Sequence, residues 1–233
     1  MYKDICTIFS EPRLATYLKA ANHDEQQALE LYKLNLRLSE SIYPTLCILE
    51  ITLRNRISGV LVKHYGDTWF DGYKGEWFDG QFLPLTSGKK NYEWDEIQKT
   101  KYKLLKTQRL ITKDTLTANL TFGFWTGMIN RSYERRIWQN YISQIFADAP
   151  KKYNLIRNIS SIRKDLHGIR ELRNRVFHHE PIFCTKKMSF DDLVVNYDHA
   201  KKLTGWLSQD ALIFLKKHDK LSSLLLSIPP SMK

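Results

Sequence analysis

The 233-residue chain has three cysteines, Cys6, Cys47 and Cys184. The number is odd, the spacing is wide and no CxxC occurs. A disulfide framework and a cysteine-rich zinc site are therefore not expected, and the thiols read as small apolar residues in a reducing compartment. Long apolar runs are lacking as well. The longest near-apolar stretch, Leu120 to Ile129, contains two Thr and two Gly and is half the length of a membrane span. The N-terminus, MYKDICTIFSEPR, shows no basic start followed by an apolar run, so no signal peptide is visible and the expected location is cytoplasmic. No P-loop, GxGxxG or GxSxG is present, which leaves nucleotide-binding and serine-hydrolase readings without an anchor. Acidic residues are also in deficit. There are 25 against 36 Lys plus Arg, a net charge of +11.

Hydrophobic residues make up 42% of the chain and aromatic residues 12%, enough for a core and too many for a disordered chain. The positive charge is uneven. Residues 89–114 hold eight basic and four acidic side chains, and residues 131–175 hold eleven and four. Clustered Lys and Arg suit a polyanion, nucleic acid first. A solvated face that serves solubility is the other reading.

The periodicity is helical nearly throughout, and no alternating strand pattern stands out, so the expected class is all-α in one domain over residues 1–233. Ser10-Glu11-Pro12 reads as a capped start for a helix that ends near Ala21. Asp24 caps a longer one with Ala28, Leu31, Leu34, Leu38 and Ile42 on one face, and Pro44 is expected to interrupt it or to start a new helix. The apolar stripe resumes from Leu46 and runs to Gly66, a plausible C-cap. Residues 66–90 break the pattern with Gly, Asp and two copies of WFDG, at Trp69 and Trp77. They read as an irregular aromatic insertion, either a loop anchored by its Trp side chains or a base-stacking surface. Further helices are expected over 91–110, 116–129, 132–146, 153–179 and 189–217, the last capped by Ser189. Residues 227–233 are expected to fray. Phe122 and Trp125 read as core.

The chemistry concentrates in Glu171 to Pro181, ELRNRVFHHEP. Upstream, Ile159, Ile162, Leu166 and Ile169 recur at steps of three and four, which makes 173 and 176 the next core positions. Position 176 is Val; position 173 is Arg. An Arg on an apolar seam is costly without an anion or acid partner, and a break in pattern points to function. Arg173 and His178 lie about 140° apart on an ideal helix, so they do not converge on one small ligand within one straight helix. Asn174 and His178 share a face, as do Arg175 and His179, and Glu171 and Arg175. Asn174 can therefore orient the His178 ring, and a helix C-terminus favours imidazolium. Two adjacent histidines at a helix end can equally be solvated or satisfied by backbone. His167, His178 and His179 lack zinc-ligand spacing, so no metal is expected.

Arg173-Asn174-(x)3-His178 resembles the Arg–polar–(x)–His signature of the HEPN superfamily of helical ribonucleases. The wider string Leu172 to Phe183, LRNRVFHHEPIF, is similar to the Abi-like (abortive infection) family within it. Two other segments carry the likeness: Leu31 to Arg56, with Asn35, Ser39, Tyr43, Pro44, Glu50 and Arg54-Asn55 in family-like places, and Leu120 to Ile129. The resemblance implies a HEPN-like helical bundle and a bacterial defence or toxin-type protein that cleaves RNA without a cofactor. It implies a homodimer that brings both Arg/His motifs into one basic cleft. There His178, or His179 at the alternative spacing, moves the ribose 2′-OH or leaving-group proton. Arg173 stabilises the phosphate charge, and Asn174 orients the His or touches the phosphate. The product would end in a 2′,3′-cyclic phosphate. It also implies a small structured RNA as a restraining partner, with a non-catalytic ribonucleoprotein as the alternative role. Arg175, Arg170 and Lys164 are the accompanying RNA-binding candidates. A second LRNR, Leu53 to Arg56, has no His within reach, so Arg54 and Asn55 are either structural or a supporting shell. Glu50 and Arg54, four apart, are expected to pair.

Overall fold

The computed structural model describes residues 2–71, 92–134, 138–185 and 187–228. These residues form eleven α-helices: α1 (Tyr2–Phe9), α2 (Glu11–Ala20), α3 (Glu25–Tyr65), α4 (Tyr92–Lys106), α5 (Lys113–Asn119), α6 (Phe122–Gly127), α7 (Gln139–Ile145), α8 (Ile159–Phe177), α9 (Asp191–Leu207), α10 (Gln209–Lys216) and α11 (Leu221–Ser227). A 3-10 turn covers Arg131–Tyr133. The described residues contain no β-strand, only one isolated bridge between Cys184 and Ser189. The expected all-α class is what the described residues show. None of their helices is long and apolar enough to cross a membrane.

Helix α3 is the spine. Asp24 accepts from the Gln27 amide at 2.9 Å and starts it, and Gly66, at φ +83°, stops it. Its 41 residues span about 60 Å. The expected interruption at Pro44 does not occur. Proline removes the amide that the Glu40 carbonyl would have received and costs about 3 kcal/mol in a helix interior. Leu38, Ile42, Leu46, Leu49 and Leu53, each no more than 2% exposed, lie on both sides of it. At about 1.5–3 kcal/mol per fully buried side chain, their packing outweighs the defect. Around this stripe α2, α8, α9 and α10 pack directly, with α5, α6, α7 and α11 along its length.

Other boundaries differ from the sequence pattern for local reasons. Residues 2–9 add a helix before Ser10, and Ser10 sits at φ +75° with no capping hydrogen bond from its side chain. The stretch 116–129 is two helices, because Thr121 turns to an extended conformation and accepts from the Phe124 amide at 3.2 Å. Helix α8 starts at 159 rather than 153, since Asn154 closes a turn by accepting from the Arg157 amide at 2.9 Å. Ser208 divides the expected 189–217 helix, its hydroxyl capping α10 at the Ala211 amide. Ser189 lies one residue before the N-cap, Phe190. Within 131–146 the 3-10 turn and α7 are separate elements, and 135–137 between them lie outside the described residues. Of the aromatic insertion, Trp69 and Phe70 are buried, with Trp69 centred 6.2 Å from Trp125. The second WFDG lies outside the described residues. So do 229–233 of the expected frayed tail, whereas Ser227 ends α11 and Ile228 is buried. Phe122 and Trp125 are core, as expected.

The turn that leads into α11 is held to α9 by a polar cluster. Lys201 donates to Asp219 at 2.7 Å and to the Tyr197 hydroxyl at 2.9 Å, and that hydroxyl donates to Asp219. Burial pushes the Asp219 carboxyl up, but the hydrogen bonds from Lys201 and Tyr197 more than offset this, so it lies below the usual carboxylate value. A depressed carboxyl contributes stability that is full above its unfolded value of about 3.9 and is lost as pH falls through the folded one. Asp219→Asn is expected to lower unfolding stability by about 1–3 kcal/mol at pH 7. It should also flatten the loss of stability below pH ~4. Urea titrations at pH 7 and pH 3 check both.

Candidate nucleic-acid interface

Helix α8 carries the site. Its buried side is Ile159, Ile162, Leu166, Ile169, Leu172 and Val176, packed towards α9, α6 and α3. Arg173 stands on that side where α8 meets α3. Its Nε lies 3.4 Å from the Glu50 carboxylate of α3. Its guanidinium carbon lies 4.0 Å from the Phe177 ring centroid, a cation–π contact. The seam Arg therefore has the acid partner that its position demands. The expected Glu50–Arg54 pair is not made, because Glu50 is turned across the helix interface to Arg173.

Arg54 is left beside them. Arg54, Arg173, Glu50, Tyr43, Cys47 and Phe177 are among the side chains lining a recess of about 210 Å³ between α3 and α8. The Arg54 Nε is buried and has no hydrogen-bond partner among the described residues. Two guanidiniums against one carboxylate leave the recess one positive charge in excess, with a buried donor whose desolvation costs about 1–3 kcal/mol. An anion is its complement. On its other side Arg54 borders a second recess of about 460 Å³, with Asn55, Ser58, Lys113 and Thr117 among its lining residues. Hydrogen bonding to Asp67, at 2.9 Å, raises the Lys113 ammonium above its usual value.

The histidines lie just past the helix. His178 is the C-cap of α8, at φ −91° and ψ 5°. His179 follows at φ +58°, a left-handed conformation that favours glycine. The His179 amide donates to the Val176 carbonyl at 3.2 Å and the Glu180 amide to the Arg175 carbonyl at 2.8 Å. These two bonds make a Schellman turn with histidine in the glycine position. Two other elements pin the turn. Arg13 of α2 donates to the His179 carbonyl at 2.9 Å. Asn35 of α3, 2% exposed, donates to the Glu180 carbonyl at 3.2 Å and accepts from the Ile182 amide at 2.9 Å. Both imidazoles are exposed and make no hydrogen bond or ion pair among the described residues.

Not every expected partnership forms. The His178 amide donates to the Asn174 carbonyl at 2.8 Å. Their side chains are not hydrogen-bonded to each other among the described residues, because the helix has ended at His178. Glu171 lies 3.8 Å from Arg170 rather than pairing with Arg175, whose side chain is exposed. Arg170 also reaches His167, Nη2 to Nδ1 at 3.1 Å, and Lys164 is exposed. Arg173 and His178 are not brought together within one chain, in line with their 140° offset. The described residues hold no group of His, Cys, Asp and Glu that could bind a metal ion. Sequence reasoning missed Arg13, which lies in another helix 165 residues upstream of His178. The pattern around Arg13 carries no signal for it.

Compared with protein-family models, curated proteins and solved structures, the chain has no match in any of the three.

The strained turn gives a direct check. His179→Gly is expected to raise unfolding stability by about 1 kcal/mol, because glycine adopts the left-handed conformation without the side-chain penalty. Thermal unfolding of the two proteins side by side measures it. An unchanged or lower midpoint would mean that the imidazole makes up for its own backbone strain.

Proposed function

We propose that this chain is an Abi-like RNA-binding protein of the HEPN superfamily, with a HEPN-like helical bundle interrupted by the insertion at 66–90. In this reading it acts as a homodimeric, metal-independent endoribonuclease. The observation that carries the reading is the recess itself. A half-buried Arg173, paired with Glu50, and an Arg54 with an unpaired donor line one recess, close to a turn that presents two solvent-open imidazoles.

The chemistry follows from these groups. One imidazole, His178 or His179, takes the ribose 2′-OH proton, and the 2′-oxygen forms a bond to phosphorus. The bond from phosphorus to the 5′-oxygen breaks, and a second imidazole donates a proton to that oxygen. The products are a 2′,3′-cyclic phosphate and a free 5′-hydroxyl. In this reading Arg173 neutralises charge on the phosphate oxygens, giving up part of its bond to Glu50, while Asn174 orients the His or touches the phosphate. Arg54 and Asn55 line the flanks.

A second copy supplies the second motif. Leu36, Tyr43 and Ile51 recur at steps of seven and eight on α3, and each is 41–48% exposed. Phe177 of α8, 44% exposed, lies 5.8 Å from Tyr43. This apolar strip borders the recess, and a dimer formed across it would face the two motifs towards one another. One observation favours the alternative, an RNA-binding protein that holds a small structured RNA without cutting it: Arg173 is already engaged by Glu50 and Phe177.

Cleavage of a labelled single-stranded RNA in the presence of chelator separates the two. His178→Ala combined with His179→Ala is expected to lower the rate at least ~10²-fold while RNA affinity stays within threefold. Cleavage that survives the double substitution would sink the mechanism, and binding with no product from the unaltered protein would favour the ribonucleoprotein. Tyr43→Asp is expected to halve the mass in sedimentation and to reduce cleavage with it.

A further inference from the structure

Helix α8 also borders a pocket that the Arg/His chemistry does not use. About 350 Å³ in volume, it lies between the first half of α8 and the end of α6 with the turn that follows. It is lined by Thr126, Asn130, Ser160, Arg163, Lys164, Leu166, His167 and Arg170. Four of the eight are basic and none is acidic. The Arg163 Nε donates to the Ile129 carbonyl at 2.8 Å, which fixes the guanidinium. Its Nη2 is buried, 3.8 Å from Glu134, and has no hydrogen-bond partner among the described residues. Arg170 can only donate, so His167 Nδ1 must accept from it, and the proton of the neutral ring then sits on Nε2 as a further donor. The Thr126 hydroxyl is already bonded to the Phe122 carbonyl at 3.1 Å. Ser160 lies in the first turn of α8, where the helix dipole adds a partial positive charge. The pocket is rich in donors and positive charge, and the guanidinium in its wall carries a buried donor, beside Glu134, that no hydrogen bond among the described residues satisfies.

The pocket is also in line with the candidate site. Arg163, His167, Arg170 and Asn174 follow one another at steps of four, three and four, within about 60° on one face of α8. The same line leads to His178. From Arg163 to His178 is 15 residues, about 22 Å of helix, or several nucleotides of an extended strand. Arg173 lies off this line, towards α3.

We infer that this pocket seats a backbone phosphate of a single RNA strand, several nucleotides from the Arg173/His178 site, and that the polar face of α8 carries the strand between them. The phosphate site stands on the pocket's own donors, and its RNA occupant rests on the function proposed above.

Titrations of ¹⁵N-labelled protein carrying both His178→Ala and His179→Ala, which binds without cutting in that reading, test the inference. A twelve-nucleotide single-stranded RNA is expected to shift the amides of Thr126, Asn130, Ser160 and His167 saturably. In the same background, Lys164→Ala with Arg170→Ala is expected to weaken RNA binding at least tenfold. The slope of log affinity against log salt should shrink by about 1.4, two single-strand contacts at about 0.7 each. Ser160→Glu keeps the fold, since a carboxylate suits the first turn of a helix, and is expected to repel the phosphate and give the same loss. Inorganic phosphate titrated alone separates the sources. Shifts with phosphate but none with RNA would overturn the assignment to a strand. No shift with either, or variants that bind RNA as the parent does, would overturn the site. If the unaltered protein never cleaves RNA yet these amides respond to it, the nuclease reading fails and the pocket stands.

Discussion

The apolar stripe of α3 has to run unbroken past Pro44, because so many other elements are placed by it. Ile42 and Leu46 flank the proline and are almost wholly buried. A true break there would unseat both at once, which costs more than the missing hydrogen bond. Continuity also gives the helix its second use. The turn of α3 that carries Glu50 and Arg54 keeps a fixed register against α8, while Asn35, four turns earlier, holds the chain that leaves α8. One rigid element thus sets both ends of the candidate site: the arginines through Glu50 and the histidines through Asn35.

That arrangement explains why the charges sit where they do. An arginine at the α3–α8 contact would be strongly destabilising alone, and Glu50 makes it tolerable. Arg54 then adds a second guanidinium that the single carboxylate does not balance. A sequence selected for stability alone would place a second acid or an aliphatic residue there. The same holds at His179, where a left-handed backbone position holds an imidazole instead of glycine. Two local departures from the most stable choice, one in the recess beside Arg173 and one in the turn that ends α8, are what a binding or catalytic site leaves in a fold.

Much of this was legible in the sequence, and the rest was not for identifiable reasons. The stripes of α3 and α8 follow from spacing alone, since burial of one helix face imposes the period. So does the anomaly of Arg173. The identity of its partner does not follow, because Glu50 and Arg54 satisfy the i, i+4 rule equally well, and only the crossing of α8 over α3 decides between a local and a distant acid. Helix breaks at Thr121, Asn154 and Ser208 were missed, as each polar side chain competes for a backbone amide within a pattern that stays apolar. The end of α8 was placed correctly near Pro181. The Schellman turn was not foreseen, since its usual marker, glycine, is missing. Arg13 and the pocket around Arg163 were invisible, being made by elements far apart in the chain.

The geometry of α8 bears on how such a site could work. Arg173 points to α3 and is stacked on Phe177, whereas the line from Arg163 through Arg170 and Asn174 to His178 faces elsewhere. A strand lying along that line passes the imidazoles but reaches Arg173 only at the helix end. Within one chain, therefore, the imidazoles and Arg173 lie on two sides of one helix, and the side occupied by Arg173 is the one flanked by exposed Tyr43, Ile51 and Phe177. A partner that covers this apolar strip would bring its own helix end against the recess. Burying the strip would also desolvate the Arg173–Glu50 pair, and the Coulomb attraction of both arginines for a phosphate would strengthen as the local dielectric falls. Assembly and anion binding then favour each other, because the charge excess that makes the recess costly when empty is what a bound phosphate neutralises.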